Sequence, residues 1–163
     1  MREEAMTRPP FSVLLGAFPL KTTVTKEALY LSIGHPEYVN DGRMLNTCAV
    51  RLSVALVAAG VPISPGNITV QAGKYVGRRL ESGQARLSNV LLRLWGAPEK
   101  FAGGPSAKKG IGTRRGVICF HHLWNAEDPQ GHIDLVSPDS WDQAACADDC
   151  YWKATEVWFW QLI

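Results

Sequence analysis

The chain of 163 residues lacks any apolar run near the roughly 20 residues that a membrane-spanning helix needs. Insertion into a bilayer is therefore not expected. "FSVLLGAF" (Phe11 to Phe18) is apolar, but it is too short for a secretory signal, and it follows two acids and a Pro-Pro pair. Internal repeats and low-complexity tracts are missing too, which removes solenoid and linker-rich architectures. Net charge is nearly absent at +2, yet its distribution is uneven. Residues 73–115 hold ten Lys/Arg against two acids, whereas from Gly116 onward there are eight acids and one lysine. Aromatic residues are sparse among those cations, so the basic stretch lacks the stacking platforms of a nucleic-acid surface. Two lobes of opposite surface charge account for the split equally well. Cysteine is scarce, at four residues, which suits a reduced cytosolic protein unless Cys146 and Cys150 pair.

What is present is ordinary for a globular domain: 46% hydrophobic and 20% charged residues, enough chain for one core. Fifteen glycines and ten prolines favour an α+β layout rich in turns over a helical bundle. We read 1–163 as a single domain whose residues 1–10, charged and ending in Pro-Pro, are frayed. "EALYLSIG" (Glu27 to Gly34) predicts a short helix stopped by its glycine. "NTCAVRLSVALVAAG" (Asn46 to Gly60) predicts a second, opened by an Asn46 or Thr47 cap and closed by Gly60 and Pro62. Only Arg51 and Ser53 break its apolar run, and a helix apolar nearly all round is a buried one. A short strand is expected around Ile68 to Val70, and a further helix over Leu87 to Gly96. "PEKFAGGPSAKKGIGTRR" reads as a mobile surface loop. Three strands follow: "GVICF" from Gly116, fully buried; "GHIDLV" from Gly131, alternating; and "TEVWFWQLI" from Thr155. The expected architecture is a buried helix carrying Cys48, packed on an antiparallel sheet.

Cys48 falls in the first turn of its helix. Unpaired N–H groups and the macrodipole there favour a thiolate, and the backbone N–H can help bind an oxyanion. The plainer account is a small hydrophobe of the core, the usual fate of a free cysteine. His132, at the start of a strand after Gly131, is a candidate base. Its orienting acid has several candidates in sequence: Asp134, Asp139, Asp142, Asp148 and Asp149. Spacing favours Asp134, two residues on and therefore on the same strand face, although so close a neighbour often cannot reach the ring. His121 and His122 close a strand and are expected to face solvent, and Cys119 is expected in the core.

"NTCAVRLSVALVAAGV", "GVICF", "GHIDL", "CADDCYW" and "EVWFW", in that order over roughly residues 40 to 163, resemble the type VI secretion amidase effectors. These are papain-like cysteine amidases that cut bacterial peptidoglycan stem peptides. The resemblance implies a papain-like fold with Cys48 as nucleophile, His132 as general base and Asp148 as third member, Asp134 being the reserve. It implies an oxyanion site at the Cys48 N–H helped by Asn46, and groove walls at Trp124 and Trp141. Cut at D-glutamate–diaminopimelate is implied first, and at the diaminopimelate–D-alanine crosslink second. No metal or cofactor is implied. The implied partners are the stem peptides, a cognate immunity protein and the secretion machinery. The implied route is cytoplasmic synthesis, export without a signal peptide and action in a rival cell's periplasm. In that compartment a Cys146–Cys150 bridge would persist; two unrelated thiols are the alternative. Lys108, Lys109, Arg114 and Arg115 are either solvated or meet stem-peptide carboxylates. Two other function classes stand beside the amidase. One is a non-catalytic wall- or glycan-binding module using the six tryptophans. The other is a zinc hydrolase with Cys146, Cys150 and His121 or His122 as ligands, a set whose C-x3-C spacing lacks a second tight pair.

Overall fold

A computed structural model describes residues 6–122, 131–138 and 153–163. The chain divides into two compact units, Ser12–Gly83 and Gln84–Ile163, the latter joined by the segment that ends at Phe11.

The first unit is mainly helical, with α1 (Phe11–Ala17), α2 (Lys26–Ser32) and α3 (Cys48–Ala58). A two-stranded antiparallel ribbon, β1 (Ile68–Thr69) and β2 (Arg79–Leu80), completes it. Thr25 caps α2, its hydroxyl accepting the Ala28 N–H at 3.1 Å, and Gly34 ends the segment at φ 81°. α3 ends as its sequence predicts, with Gly60 at φ 85° after the Ala59 cap. Nine of its eleven residues are buried, among them both polar interruptions. Ser53 is satisfied on both sides: its hydroxyl donates to Glu81 O and accepts the Glu81 N–H, each at 3.1 Å. That pair ties α3 to the end of β2, so the serine serves as a stitch and not as a solvated break.

The second unit is a four-stranded antiparallel sheet between two helices. Helix α4 spans Gln84–Trp95 and α5 spans Gly104–Ile111; the strands are β3 (Glu99–Phe101), β4 (Gly116–His121), β5 (His132–Val136) and β6 (Glu156–Gln161). Among the described residues the strand order is β3-β6-β4-β5, which sets β5 at one edge of the described sheet. Cross-strand partners share a face. The register therefore sets Ile118, Phe120, His132, Asp134, Val136, Val157 and Phe159 on one face. Ala107 and Ile111 of α5 pack into that face's apolar cluster. Trp160 and Trp158 lie on the other face, where Trp95 of α4 meets Trp160 edge-on at 6.1 Å and Trp160 Nε1 donates to Gly96 O at 3.0 Å.

Four expectations change. Residues 99–111, read as a mobile loop, form β3 and α5, because Phe101, Ala107 and Ile111 all have apolar neighbours on the sheet. β5, read as alternating, is buried at all five positions. The tail read as frayed is tied down at residues 6–8: Met6 N–H donates to Leu94 O at 2.7 Å and Arg8 to Gln161 O at 3.1 Å. His121 and His122 are both half-buried instead of solvent-facing. Burial pushes the His121 imidazole down to about 4; Gln84 Nε2 lies 3.3 Å from its Nδ1, and the Trp158 ring lies 4.5 Å away, tilted at 58°.

Gly131 has a specific reason to be glycine. A Cβ there would collide with the Gln84 side-chain oxygen and lie 2.7 Å from the carbonyl oxygen of Phe120. Gln84 is itself held by Ser88, its Nε2 donating to Oγ at 2.9 Å. Gly131→Ala is expected to lower stability by about 1–3 kcal/mol through overpacking, measured by urea denaturation. An unchanged midpoint would show that the edge relaxes freely.

Candidate active site

Cys48 is the first residue of α3 and is 3% exposed. Thr47 occupies the cap position with φ −96° and ψ 2°, and its side chain makes no capping bond. Asn46 does that work: its Oδ1 accepts the Cys48 N–H at 3.1 Å. The N–H expected to serve an oxyanion is thus engaged by the side chain of its neighbour. Thr47 Oγ1 accepts instead from Arg51 Nε at 2.8 Å, and Arg51 NH1 donates to Pro19 O at 2.7 Å. Arg51 is 3% exposed, so a full guanidinium is enclosed one turn along from the thiol. Tyr30 of α2 completes this neighbourhood. Its hydroxyl donates to Met44 O at 2.6 Å, and burial pushes its pKa up to about 12 against the opposing pull of Arg51, so it stays a neutral donor.

In the sheet unit His132 opens β5 and is 2% exposed. Its ring lies 6.3 Å from that of Phe120, nearly parallel at 21°. Asp134 Oδ2 sits 3.2 Å from His132 Nε2, and Asp134 Oδ1 accepts the Leu135 N–H at 2.7 Å. The acid two residues on therefore does reach back to the ring, because its second oxygen is anchored to the strand's own backbone. A proton on Nε2 directed at Asp134 puts the imidazole lone pair on Nδ1, the tautomer that can take a proton there. Of the predicted set, the structure brings His132 and Asp134 together within one unit and sets Cys48 beside Asn46 in the other. Asp148, Trp124, Trp141, Cys146 and Cys150 lie outside the described residues, as do Asp139, Asp142 and Asp149. With them goes the cysteine pair of the zinc reading; among the described residues no group of metal-ligating side chains occurs.

The basic side chains divide. Lys108 and Lys109 lie exposed in the last turn of α5. Arg114 grips Glu99 with both terminal nitrogens, at 2.7 and 2.9 Å, which raises its own pKa. Sequence reasoning missed Tyr30 and the enclosure of Arg51. The one signal was an arginine inside an apolar run, at i+3 from the cysteine.

Comparison with known proteins sets these features in context. The family model described as type VI secretion system (T6SS), amidase effector protein 4 (Tae4), matches residues 44–160. The solved type VI effector Tae4 from Enterobacter cloacae superposes with a TM-score of 0.73 at 23% identity, covering 98% of this chain and 100% of that one. The Tae4–Tai4 effector–immunity complex from the same organism gives 0.71 at 22% identity, covering 96% and 100%. The Tae4/Tai4 effector–immunity system from Salmonella typhimurium gives 0.69 at 20%, again covering 96% and 100%. At such identities the likeness is one of fold, and that fold is α+β and papain-like. A comparison with the curated proteins found no match. The family match takes in α3 with Cys48, β5 with His132 and nearly all of β6, well over half of the chain. The chain belongs to the type VI secretion amidase effector family Tae4.

Proposed function

We propose that this family member is a cysteine-type amidase of peptidoglycan stem peptides, acting as an antibacterial toxin in the periplasm of a rival cell. The observation that carries the reading is a thiol at the head of a buried helix in a chain that also presents an imidazole already held by a carboxylate. In this mechanism His132 takes the proton from Cys48, and the thiolate attacks an amide carbonyl of the stem peptide. Negative charge gathers on the carbonyl oxygen, where the Cys48 N–H, once released by Asn46, and the Asn46 side-chain amide are the proposed donors. The imidazolium then protonates the departing amine, and water releases the acyl group from sulfur. Asp134 or Asp148 holds the ring and stabilises its cation.

The bond proposed first is D-glutamate–diaminopimelate, with the diaminopimelate–D-alanine crosslink second. Trp124 and Trp141 are proposed as walls of the substrate groove, and Cys146 and Cys150 as a bridge that pins the segment bearing Asp148. Solved relatives carry a bound immunity protein, Tai4. An immunity partner of that kind, occluding the site, is proposed here, together with delivery by the type VI machinery. Mass spectrometry of muropeptides after incubation with the protein tests the reaction and the linkage together. New amino termini on diaminopimelate are expected. Release of free D-alanine-ended donor strands would move the assignment to the crosslink, and an unchanged muropeptide profile would favour a binding module.

A further inference from the structure

Gln84 is the first residue of α4, and its side chain lies across the end of the β4–β5 pair. Phe120 pairs with His132, so His121 and Gly131 are the next residues outward on the two strands. The Gln84 amide meets both. Its nitrogen lies 3.3 Å from His121 Nδ1, and its oxygen occupies the space that a Cβ on Gly131 would need. Which way round the amide sits is decided by its neighbours. Ser88, one turn along α4 and fully buried, gives its proton to Gln84 O at 2.9 Å, which leaves Oγ to accept from Gln84 Nε2 at 2.9 Å. The second amide hydrogen then faces His121 Nδ1, which must present a lone pair. Burial holds that ring neutral down to about 4, against the opposing pull of Glu156. Its proton therefore sits on Nε2, a buried atom with no hydrogen-bond partner among the described residues. A buried N–H left unmet is a net cost. Phenylalanine would fill the same place beside Trp158 without it, so shape does not account for a histidine here. What histidine adds is the acceptor at Nδ1.

We infer that Gln84 is a positioning residue for His132: its amide, fixed by Ser88 and His121, backs Gly131 and sets where the strand that carries the imidazole begins. The inference rests on the reading of His132 as general base. His132 follows Gly131 directly, so a shift of the chain at Gly131 moves the imidazole with it. His121 and Gly131 turn to the sheet face opposite His132, so Gln84 acts on the strand's backbone and not on the ring. Proton transfer is sensitive to such placement, since a misplacement of about 1 Å can cost about 10²-fold in rate.

The test is the kinetics of cleavage of purified muropeptides, with urea denaturation of each variant alongside. Gln84→Met keeps the length of the side chain and removes its amide; kcat should fall about tenfold with KM little changed. His121→Phe keeps a ring beside Trp158 and removes the acceptor, and it should lower kcat by a similar factor. His121→Asn removes the ring but can place an amide oxygen where Nδ1 stands, so it should keep kcat within about twofold. A packing role predicts the reverse order, because the ring is what fills the space. The asparagine variant is therefore expected to be the less stable and the more active of the two. Folded Gln84→Met with unchanged kcat would overturn the inference, as would His121→Asn losing as much activity as His121→Phe. Should Gln84→Met not fold, the two His121 variants carry the test. Cleavage by His132→Ala keeps the two claims apart: retained activity there sinks the general base, whereas its loss beside fully active Gln84→Met sinks only the positioning role.

Discussion

Cys48→Ala is expected to lower stem-peptide cleavage by about 10⁴-fold or more while the protein folds and melts as before. The chemical reason is that no other group can replace the sulfur as the atom that becomes acylated, so the covalent route closes entirely. The stability change should be small, because cysteine to alanine removes one small buried side chain and the Cys48 N–H keeps Asn46 whatever the side chain. Cys48→Ser gives a sharper contrast. The hydroxyl matches the thiol in place but ionises far less readily, so activity should stay near the alanine level even though the geometry is kept. Muropeptide release followed by chromatography measures both. Full activity in the alanine variant would return Cys48 to the core and leave a metal hydrolase, which inhibition by chelators would identify.

The elements legible in the sequence were those fixed by short-range rules. α3 announced itself through its cap, its apolar circumference and its terminal glycine, and β4 and β6 through continuous β-branched and aromatic runs. What escaped depended on partners far along the chain. β3 and α5 hide behind Gly103, Gly104 and Pro105, whose local signal is a turn; their apolar residues become meaningful only against Ile118, Phe120 and Val157 of the sheet. β5 looks half-polar because His132 and Asp134 alternate with Ile133 and Leu135, yet an edge strand can be buried on both faces when its polar pair bonds to itself. The same held at the candidate site. Cys48 and His132 were readable from helix start and strand start, and their family likeness named them. Asp134 was doubted because a neighbour two residues on rarely reaches the ring. The doubt misses the Leu135 N–H, which takes one carboxylate oxygen at 2.7 Å and turns the other toward the imidazole. Arg51 looked like a break in an apolar run, and its burial and its bonds to Thr47 Oγ1 and Pro19 O show that it points inward.

His132→Ala is expected to cost about 10³–10⁴-fold in kcat, and the acids around it yield the more discriminating result. Without the imidazole, the thiol loses its proton acceptor and the leaving amine its proton donor, so both acylation and departure slow. A solvent base at high pH can restore the first role and not the second, so rescue by pH should be partial. Asp134→Asn then asks which carboxylate orients the ring. An amide at the same position presents either its oxygen, which still accepts from Nε2–H, or its NH2, which forces the proton onto Nδ1, the tautomer unable to act as base there. Loss of the carboxylate charge also removes the stabilisation of the imidazolium. The substitution should therefore lower kcat by about 10²–10⁴-fold with KM little changed, and shift the acidic limb of the kcat/KM profile downward, since the ring then gives up its proton more easily. Asp148→Asn run alongside decides between the two acids. If Asp134 alone orients the ring, Asp148→Asn leaves that limb in place. If the limb moves only with Asp148, the 3.2 Å contact with Asp134 is a structural bond of the edge strand and the family's assignment of the third member holds.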